Sequence, residues 1–152
     1  MRKATVTILT PTYNRAHTLP RVFESLQKQT FKDFEWLVID DGSTDNTKEL
    51  VEEFQKNTDF KIRYYHQENQ HKFLTFFRGI DLAEGKYFSP LDSDDALPKD
   101  SMEILVNTWQ GIPDGQKIVF VYTLSEDQFG NLVSDRFPKD PLIWTIFDMR
   151  YK

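Results

Sequence analysis

The sequence of 152 residues predicts an α/β fold with a mainly parallel sheet. Strand-like and helix-like segments alternate along most of the chain, which is the order that right-handed β-α-β crossovers produce. The strand-like segments are short apolar runs rich in β-branched residues, as expected for buried strands. Polar clusters follow three of them, at the positions where open α/β sheets bind ligands. We therefore expect helices on both faces of the sheet, giving three layers.

The first half of the chain contains two strand–helix pairs. Ala4–Thr10 is short and β-branched, and we interpret it as a buried strand. A helix follows, because apolar residues recur at the i, i+3, i+4, i+7 spacing of an amphipathic helix. Those residues are Leu19, Val22, Phe23 and Leu26. Phe34–Asp40 is the second strand, and Ser43 or Thr44 is a candidate N-cap for the second helix.

The second half of the chain continues the alternation. Lys61–Gln67 reads as a third strand, and an aromatic-rich helix follows it and ends before Gly85. Lys86–Leu91 is the fourth strand, and Pro98 is a typical first residue for the fourth helix. Two more strands are predicted at Lys117–Asp127 and Leu132–Asp135, with a turn between them.

Composition excludes several classes of function. The net charge of −5 and the pI of about 5.2 argue against nucleic-acid binding through a broad basic surface. The chain has no cysteine, which excludes a disulfide framework, a thiolate metal site and a cysteine nucleophile. No apolar run approaches the ~20 residues that span a bilayer. We expect a soluble cytoplasmic protein, with peripheral association at the inner face of the membrane left open. The sequence does not specify an oligomeric state.

The stretch "LDSDD" places three carboxylates directly after the fourth strand, at Asp92, Asp94 and Asp95. Carboxylate oxygens are the ligands that Mg²⁺ and Mn²⁺ prefer, and such ions usually take only one or two of them from the protein. The alternative is an acidic helix N-terminus, which the helix dipole favours. The position of the cluster at the end of an apolar strand favours the metal site.

A second acidic cluster, "DDGSTD", follows the second strand. Asp40 and Asp41 could accept hydrogen bonds from a nucleobase N–H or a ribose hydroxyl. The alternative is a turn with a helix cap, for which "DGST" is suitable. The loop after the first strand, "TPTYNR", offers Tyr13 to stack on a base, and the alternative there is a loop fixed by Pro11.

Lys72, at the start of the third helix, is a candidate for contact with a pyrophosphate, together with Arg78. The alternative is an ordinary surface lysine. The chain has no G-x-S-x-G elbow, no Walker loop and no G-x-G-x-x-G turn. Serine-hydrolase, P-loop and dinucleotide-binding functions therefore lack their key residues.

Two long segments carry a family resemblance. The segment "VTILTPTYNRAHTLPRVFESLQKQTFKDFEWLVIDDGSTDNTKELVEEF" and the segment "IRYYHQENQHK…RGIDLAEGKYFSPLDSDDALPKDSMEIL" together resemble the opening of family 2 glycosyltransferases. The resemblance runs from about Val6 to Leu105. It implies the type A nucleotide-diphospho-sugar transferase fold, a nucleotide-diphosphate sugar donor and a divalent metal, Mg²⁺ or Mn²⁺. It also implies inverting transfer to a saccharide or lipid-linked acceptor.

The resemblance also implies roles for individual residues. The metal would be bound by Asp92, Asp94 and Asp95, with Asp94 also at the donor. The donor nucleotide would be bound by Pro11, Thr12, Tyr13, Asp40, Asp41 and Lys72. No residue of the chain is assigned as the general base that deprotonates the acceptor, and we expect that base to lie outside it.

The sequence departs from the family pattern in two respects. The segment "FLTFFRG" places Phe73, Phe76 and Phe77 where the family is usually small and polar, and His71 stands where a glycine is common. The chain is also shorter than family members. We therefore expect one donor-binding domain, residues 1–152, in which about 125–152 begin an incomplete acceptor part. The alternatives are a non-catalytic nucleotide-sugar-binding or interaction domain, and a nucleotidyltransferase of similar fold.

Overall fold

The structure, a computed structural model, describes residues 3–113, 126–127 and 129–133. Four strands alternate with four helices in this part of the chain, which confirms the predicted order. The elements are β1 (Val6–Thr12), α1 (Leu19–Gln27), β2 (Phe34–Asp40), α2 (Thr47–Lys56), β3 (Lys61–His66), α3 (His71–Leu82), β4 (Tyr87–Pro90) and α4 (Ser101–Gln110). The chain divides into two compact units, Met1–Ile104 and Leu105–Lys152, and the first contains the whole sheet.

The four strands form one parallel sheet in the order β3-β2-β1-β4. The chain moves outward from β1 to β2 and β3, and then returns to place β4 on the other side of β1. Strand order therefore reverses between β1 and β4. In open α/β sheets, the crevice outside the carboxyl ends of the strands at such a reversal is the usual ligand site.

One face of the sheet is covered by α1 and α2 through an aromatic cluster. Phe23 of α1 stacks on Phe54 of α2, with ring centroids 4.2 Å apart and planes 8° from parallel. Trp36 of β2 lies against both rings, with centroids at 6.2 Å from Phe23 and 6.0 Å from Phe54. Its indole N–H is buried and donates to the Thr10 hydroxyl at 2.9 Å, so the ring is fixed in plane.

The other face is covered by α3. Leu9, Leu37 and Ile39 are fully buried there, and Phe76 of α3 packs against this cluster. Gly79 is required at the contact, since a Cβ at this position would lie 2.4 Å from the Leu9 side chain. Helices on both faces confirm the predicted three layers.

A buried ionic network closes the amino edge of the sheet on the α3 side. The Glu35 side chain has no exposed surface, and its Oε1 accepts from the Thr7 hydroxyl at 2.8 Å and from the Arg63 guanidinium at 3.3 Å. The Glu84 backbone N–H donates to the same oxygen at 3.2 Å. Arg63 also pairs with the Glu84 carboxylate at 2.9 Å. Because a buried charge is costly unless it is paired and hydrogen-bonded, this network fixes the α3–β4 loop on the sheet.

Two predicted helix starts were wrong by about one turn. The second helix begins at Thr47, with Asn46 and not Ser43 or Thr44 at the N-cap position. The fourth begins at Ser101 and not at Pro98. In its first turn, the Met102 backbone N–H donates to the side-chain oxygen of Gln29 at 3.1 Å, so a residue distant in sequence caps this helix.

The remaining predicted strands lie mostly outside the described residues. What is described there is an isolated antiparallel bridge between Glu126 and Leu132, with a turn in which Gly130 has a φ of 80°. The assignment of residues 1–152 to a single domain with an acceptor part from about 125 stays a prediction. Among the described helices, none has the length and apolar character to cross a membrane.

Gly85→Ala should destabilise the protein strongly. A Cβ at Gly85 would lie 2.4 Å from the Thr7 backbone nitrogen and 2.7 Å from the Val6 carbonyl carbon, and strand backbone cannot move aside as a flexible side chain can. We expect a loss of about 3 kcal/mol or more in the free energy of unfolding, at the upper end of overpacking costs. Urea denaturation measures it.

The matched control is Gly111→Ala, whose Cβ would meet only carbonyl oxygens at 3.3 and 3.6 Å. Its effect should be below about 1 kcal/mol. Equal effects of the two substitutions would show that backbone contact at Gly85 is not the constraint.

Candidate functional site

The residues that the sequence analysis assigned to the site lie at the carboxyl ends of the strands, in the loops that follow them, or in the first turn of α3. Those residues are Pro11, Thr12, Tyr13, Asp40, Asp41, Lys72, Asp92, Asp94 and Asp95. The structure joins several of the loops directly. The Asp41 backbone N–H donates to the Thr12 carbonyl at 2.8 Å. Lys72 pairs with Asp92, and Arg15 pairs with Asp94. The predicted convergence at one edge is therefore present.

The loop after β1 is attached to the loop after β2 by reciprocal hydrogen bonds. The Asn14 N–H donates to the Ser43 hydroxyl, and the Thr44 N–H donates to the Asn14 side-chain oxygen, each at 2.8 Å. Asn14 has a φ of 52°, in the left-handed region that asparagine tolerates better than most residues. These two hydrogen bonds leave the neighbouring Tyr13 49% exposed at the edge of the sheet. An exposed ring on a fixed loop suits the predicted stacking on a base.

Asp45 holds the same two loops together. Its carboxylate accepts from the Ala16 N–H at 3.1 Å, and from the Thr47 N–H at 3.1 Å and the Thr47 hydroxyl. Burial opposes ionisation of this carboxyl, but the hydrogen bonds from Thr47 and Ala16 outweigh it and lower its pKa. The sequence analysis did not select Asp45. The sequence signal that could have identified it is an acidic residue two positions before the first residue of α2, where a side chain can accept from the free N–H groups of a helix.

Asp40 is buried, and protein groups occupy both of its carboxylate oxygens. The Tyr64 hydroxyl donates to Oδ2 at 2.5 Å, and the Ser43 N–H donates to Oδ1 at 2.8 Å. Burial first, and then the hydrogen bond to this carboxylate, raise the pKa of Tyr64 far above its usual value, so Tyr64 stays a donor. In this structure Asp40 shapes the turn after β2. Its predicted contact with a nucleoside stays a prediction.

Asp41 is also buried, but its donors come from the loop after β3. The Gln67 side-chain amide donates to Oδ1 at 2.6 Å, and the Gln70 backbone N–H donates to the same oxygen at 2.9 Å. Burial alone would raise the pKa of Asp41, but these bonds, with contributions from Thr75 and His71, lower it overall. Asp41 is therefore an ionised acceptor in a fixed orientation. Gln67 was missed at the sequence level, where it was only the last residue of a predicted strand.

Thr12 has a buried hydroxyl without a partner in the described part of the chain. The residue is 3% exposed, and its Oγ1 makes no hydrogen bond there. Thr12 is the last residue of β1 and pairs in register with Asp40. A buried hydroxyl without a partner costs free energy, so this atom is a candidate for contact with a bound ligand.

Basic side chains neutralise the acidic loop after β4. The Lys72 ammonium lies 2.7 Å from Asp92 Oδ2, and the Arg15 guanidinium lies 3.6 Å from Asp94 Oδ2. The Asp95 backbone N–H donates to the Asp92 carbonyl at 3.1 Å, which closes a turn in the loop. Burial, and then the charges of Asp92 and Asp94, raise the pKa of Asp95. The three aspartates therefore have different environments although they are adjacent in sequence.

The same loop has the ligand chemistry for a divalent ion. In the part of the chain that the structure describes, no three acidic or histidine side chains form a group that could hold a metal alone. An ion bound with a diphosphate needs only one or two protein carboxylates, since phosphate and water complete its coordination. Asp92 and Asp94 are half-exposed hard oxygen donors, and each already attracts a cationic side chain. The donor set therefore suits Mg²⁺ or Mn²⁺ together with a nucleotide.

Comparison with known proteins assigns the family. The model of a family described as "Glycosyl transferase family 2" matches residues 7–151. The chain belongs to glycosyl transferase family 2. An uncharacterized glycosyltransferase of Rickettsia felis is 44% identical over 99 residues, which cover 65% of this chain and 16% of the relative. The GalNAc(5)-diNAcBac-PP-undecaprenol beta-1,3-glucosyltransferase of Campylobacter jejuni is 35% identical over 129 residues, or 84% of this chain and 40% of the relative. The chain thus spans less than half the length of these two curated relatives.

Solved structures of glycosyltransferases share the fold. Staphylococcus aureus TarS 1-349, solved in complex with UDP, aligns with a TM-score of 0.65 at 27% identity, covering 70% of this chain and 32% of the TarS 1-349 chain. The mannosyltransferase PcManGT of Pyrobaculum calidifontis, solved with GDP-Man and Mn²⁺, aligns with a TM-score of 0.66 at 22% identity, covering 74% and 34%. These likenesses confirm the type A glycosyltransferase fold, of which this chain contains part.

The geometry of α3 shows where the residues that depart from the family 2 pattern lie. His71 has a φ of 69°, the left-handed region that favours the glycine common at this position. Phe76 turns inward and meets Phe88 edge-to-face with centroids 5.6 Å apart. Phe73 and Phe77 turn outward and form their own edge-to-face pair at 4.8 Å, with Phe73 71% exposed. The aromatic residues therefore divide between the core and the surface, and Lys72 still reaches Asp92.

Asp45→Ala should destabilise the protein at neutral pH and much less in acid. We expect a loss of about 1–2 kcal/mol at neutral pH, as for removal of a helix cap. The folded-state pKa of Asp45 is below the ordinary value of 3.8, so its stabilisation is present above that value and is lost as pH falls through the folded-state pKa. Urea denaturation of both proteins at neutral pH and at about pH 2 checks this.

Asp59→Ala is the control, because Asp59 is exposed between α2 and β3, near the amino edge of the sheet. It should have little effect at either pH. A destabilisation by Asp45→Ala that is equally large at both pH values would contradict the role of the ionised carboxylate.

Proposed function

We propose that this chain binds the nucleoside diphosphate of a sugar donor, as the donor-binding part of an inverting, metal-assisted glycosyltransferase. The observation that carries the proposal is the contact of acidic and basic side chains from separate loops, Lys72 with Asp92 and Arg15 with Asp94, beside the strand-order reversal. TarS, 27% identical in the aligned part, has been solved with UDP and with UDP-GlcNAc. That likeness supports a nucleotide-sugar ligand for this chain.

The nucleoside would be bound at the loops after β1, β2 and β3. The exposed ring of Tyr13 offers a stacking surface, and the ionised carboxylate of Asp41 accepts hydrogen bonds from a base. Thr12 contributes a hydroxyl that lacks a partner in the described structure, and a ribose hydroxyl could supply one. Asp40, although buried, keeps the turn in the shape that presents Asp41.

The diphosphate would lie between Lys72 and the loop after β4. Asp92, Asp94 and Asp95 would hold Mg²⁺ or Mn²⁺, which when bound stabilises the charge that grows on the leaving diphosphate. Lys72 and Arg15 now pair with two of these carboxylates, and phosphate oxygens are equally suitable partners for an ammonium and a guanidinium. These residues therefore bind and orient the leaving group.

No residue of this chain is assigned to the acceptor. We propose a saccharide or lipid-linked acceptor, in polysaccharide or glycoconjugate synthesis, and a general base outside residues 1–152. A cytoplasmic location, with peripheral attachment to the inner membrane face, is part of the same proposal. The family match favours a sugar transferase over a nucleotidyltransferase of similar fold. A donor-binding module without catalysis is separated from an enzyme by experiment.

Nucleoside diphosphates should bind in a metal-dependent manner. In isothermal titration calorimetry with Mn²⁺, we expect at least one of UDP, GDP, CDP and ADP to bind, and we expect excess chelator to abolish binding. Asp94→Ala and Asp95→Ala should each remove it as well, because the metal links the diphosphate to these carboxylates.

Asp59→Ala, at the opposite edge of the sheet, should bind like the wild type. Equal binding in excess chelator would count against the proposed metal-assisted site. The rate at which nucleoside diphosphate is released from candidate sugar donors then distinguishes an enzyme from a binding module. Release that an acceptor stimulates indicates an enzyme. Slow release that no acceptor changes indicates a binding module.

A further inference from the structure

Gln67 is the central residue of a hydrogen-bond network that joins Asp41 to Thr75 and Arg78. It follows the last residue of β3, and its backbone N–H continues the ladder by donating to the Asp40 carbonyl at 2.9 Å. The residue is only 7% exposed. A buried glutamine must place both ends of its amide on suitable partners, because an unpaired end would cost about 1–3 kcal/mol.

The partners of Gln67 leave its amide only one orientation. Its nitrogen donates to the Asp41 carboxylate at 2.6 Å and to the Thr75 hydroxyl at 3.0 Å. Its oxygen accepts from the Arg78 guanidinium at 2.6 Å. An ionised carboxylate can only accept and a guanidinium can only donate, so a flipped amide would lose both contacts.

The network links Asp41 to α3. Thr75 is fully buried on α3, and its hydroxyl donates to the His71 carbonyl at 3.2 Å, so its lone pairs are directed at Gln67. Arg78 is one turn further along the helix. Gln67 therefore connects Asp41 to Arg78 and Thr75 of α3, in addition to the contributions that Thr75 and His71 make to Asp41 directly.

We propose that Gln67 is a positioning residue for recognition of the nucleobase, acting through Asp41 with Arg78 and Thr75 behind it. The inference rests on the proposed function, in which Asp41 accepts from the base. An oriented carboxylate that only accepts favours a base edge with an N–H donor, as in uracil and guanine. Cytosine and adenine have an acceptor at that ring nitrogen, and their exocyclic amino groups would have to meet the carboxylate at a different position, so a carboxylate with a fixed direction disfavours them. Without Gln67 the carboxylate keeps its charge and the Gln70 N–H, but its direction is less constrained, and this selectivity falls.

Gln67→Met tests this with little change in side-chain volume. Calorimetry with Mn²⁺ should give affinities for UDP, GDP, CDP, ADP and inorganic pyrophosphate in the wild type and the variant. We expect the best-bound nucleotide to weaken by roughly tenfold or more, the loss of one hydrogen bond to a charged group. We expect the ratio between N–H-bearing and acceptor-bearing bases to fall by a similar factor. Pyrophosphate affinity should change by less than about twofold. The described contacts of the Gln67 side chain are with Asp41, Thr75 and Arg78, and not with Lys72 or Asp92. Arg78, a pyrophosphate candidate by sequence alone, donates to the Gln67 oxygen in this structure.

Gln55→Met is the matched control. Gln55 lies on α2 and also donates its side-chain amide, to the Ile62 carbonyl of β3 at 3.1 Å, away from the loops of the site. It should leave all five affinities unchanged. A general loosening of the fold by Gln67→Met would lower pyrophosphate affinity with the rest and would overturn the positioning role.

Arg78→Met gives a second, independent reading. If Arg78 acts through Gln67, Arg78→Met weakens base selectivity in the same direction, and the double variant is no worse than Gln67→Met alone. Additive losses would overturn the linkage. Failure of the wild type to bind any nucleoside diphosphate would remove the proposed function itself. Wild-type binding with unchanged base selectivity in Gln67→Met would overturn this inference alone.

Discussion

Burial of carboxylates at the carboxyl edge of the sheet, each matched by donors from a distant segment, is the constraint on which the site depends. Buried Asp40 takes its donors from Tyr64 and its own turn, and buried Asp41 takes them from Gln67 and Gln70. The exposed carboxylate of Asp45 adds bonds from Ala16 and Thr47. A buried charge without such donors is too costly to keep. The acids that follow β2 therefore draw in the loops after β1 and β3, and these loops become parts of one rigid surface.

The two edges of the sheet use charge in opposite ways. At the amino edge, Glu35 is fully enclosed by Thr7, Arg63 and the α3–β4 loop, so its oxygens are committed to the fold. At the carboxyl edge, the described structure pairs Asp92 with Lys72 and Asp94 with Arg15, and both basic side chains are exposed. Exposed ion pairs of this kind contribute about 0–1 kcal/mol and are readily exchanged for other partners. Ligand binding is therefore favoured at the carboxyl edge.

Patterns local in sequence predicted the fold and the location of the site. The apolar run of β2 was predicted with its observed bounds, and the clusters after β1, β2 and β4 were placed at one edge because parallel strands require it. The residues that were missed depend on partners far along the chain. In the sequence, Glu35 is only a polar residue that interrupts an apolar strand, although in the structure it accepts from Thr7. Gln29 accepts from the Met102 backbone N–H of α4, which is 73 positions away along the chain. Ser43 and Thr44 were plausible caps by residue type, but in the structure the Ser43 hydroxyl and the Thr44 N–H are hydrogen-bonded to Asn14. Sequence spacing cannot reveal such partners.

The position of α3 decides how the two ends of the proposed donor site are related. Its inner side is fixed on the sheet by Thr75 and by Gly79, which admits Leu9 where any Cβ would collide. Its first residues adopt the left-handed turn at His71, and Lys72 then reaches Asp92 at the diphosphate end. Thr75 and Arg78 reach Asp41 at the base end through Gln67. A shift of α3 along the sheet would therefore alter both ends together, although the Gln70 backbone N–H also holds Asp41. The outward aromatic pair Phe73 and Phe77 lies on the opposite side of the helix from these constraints, which is why the family pattern can change there while the inward contacts persist.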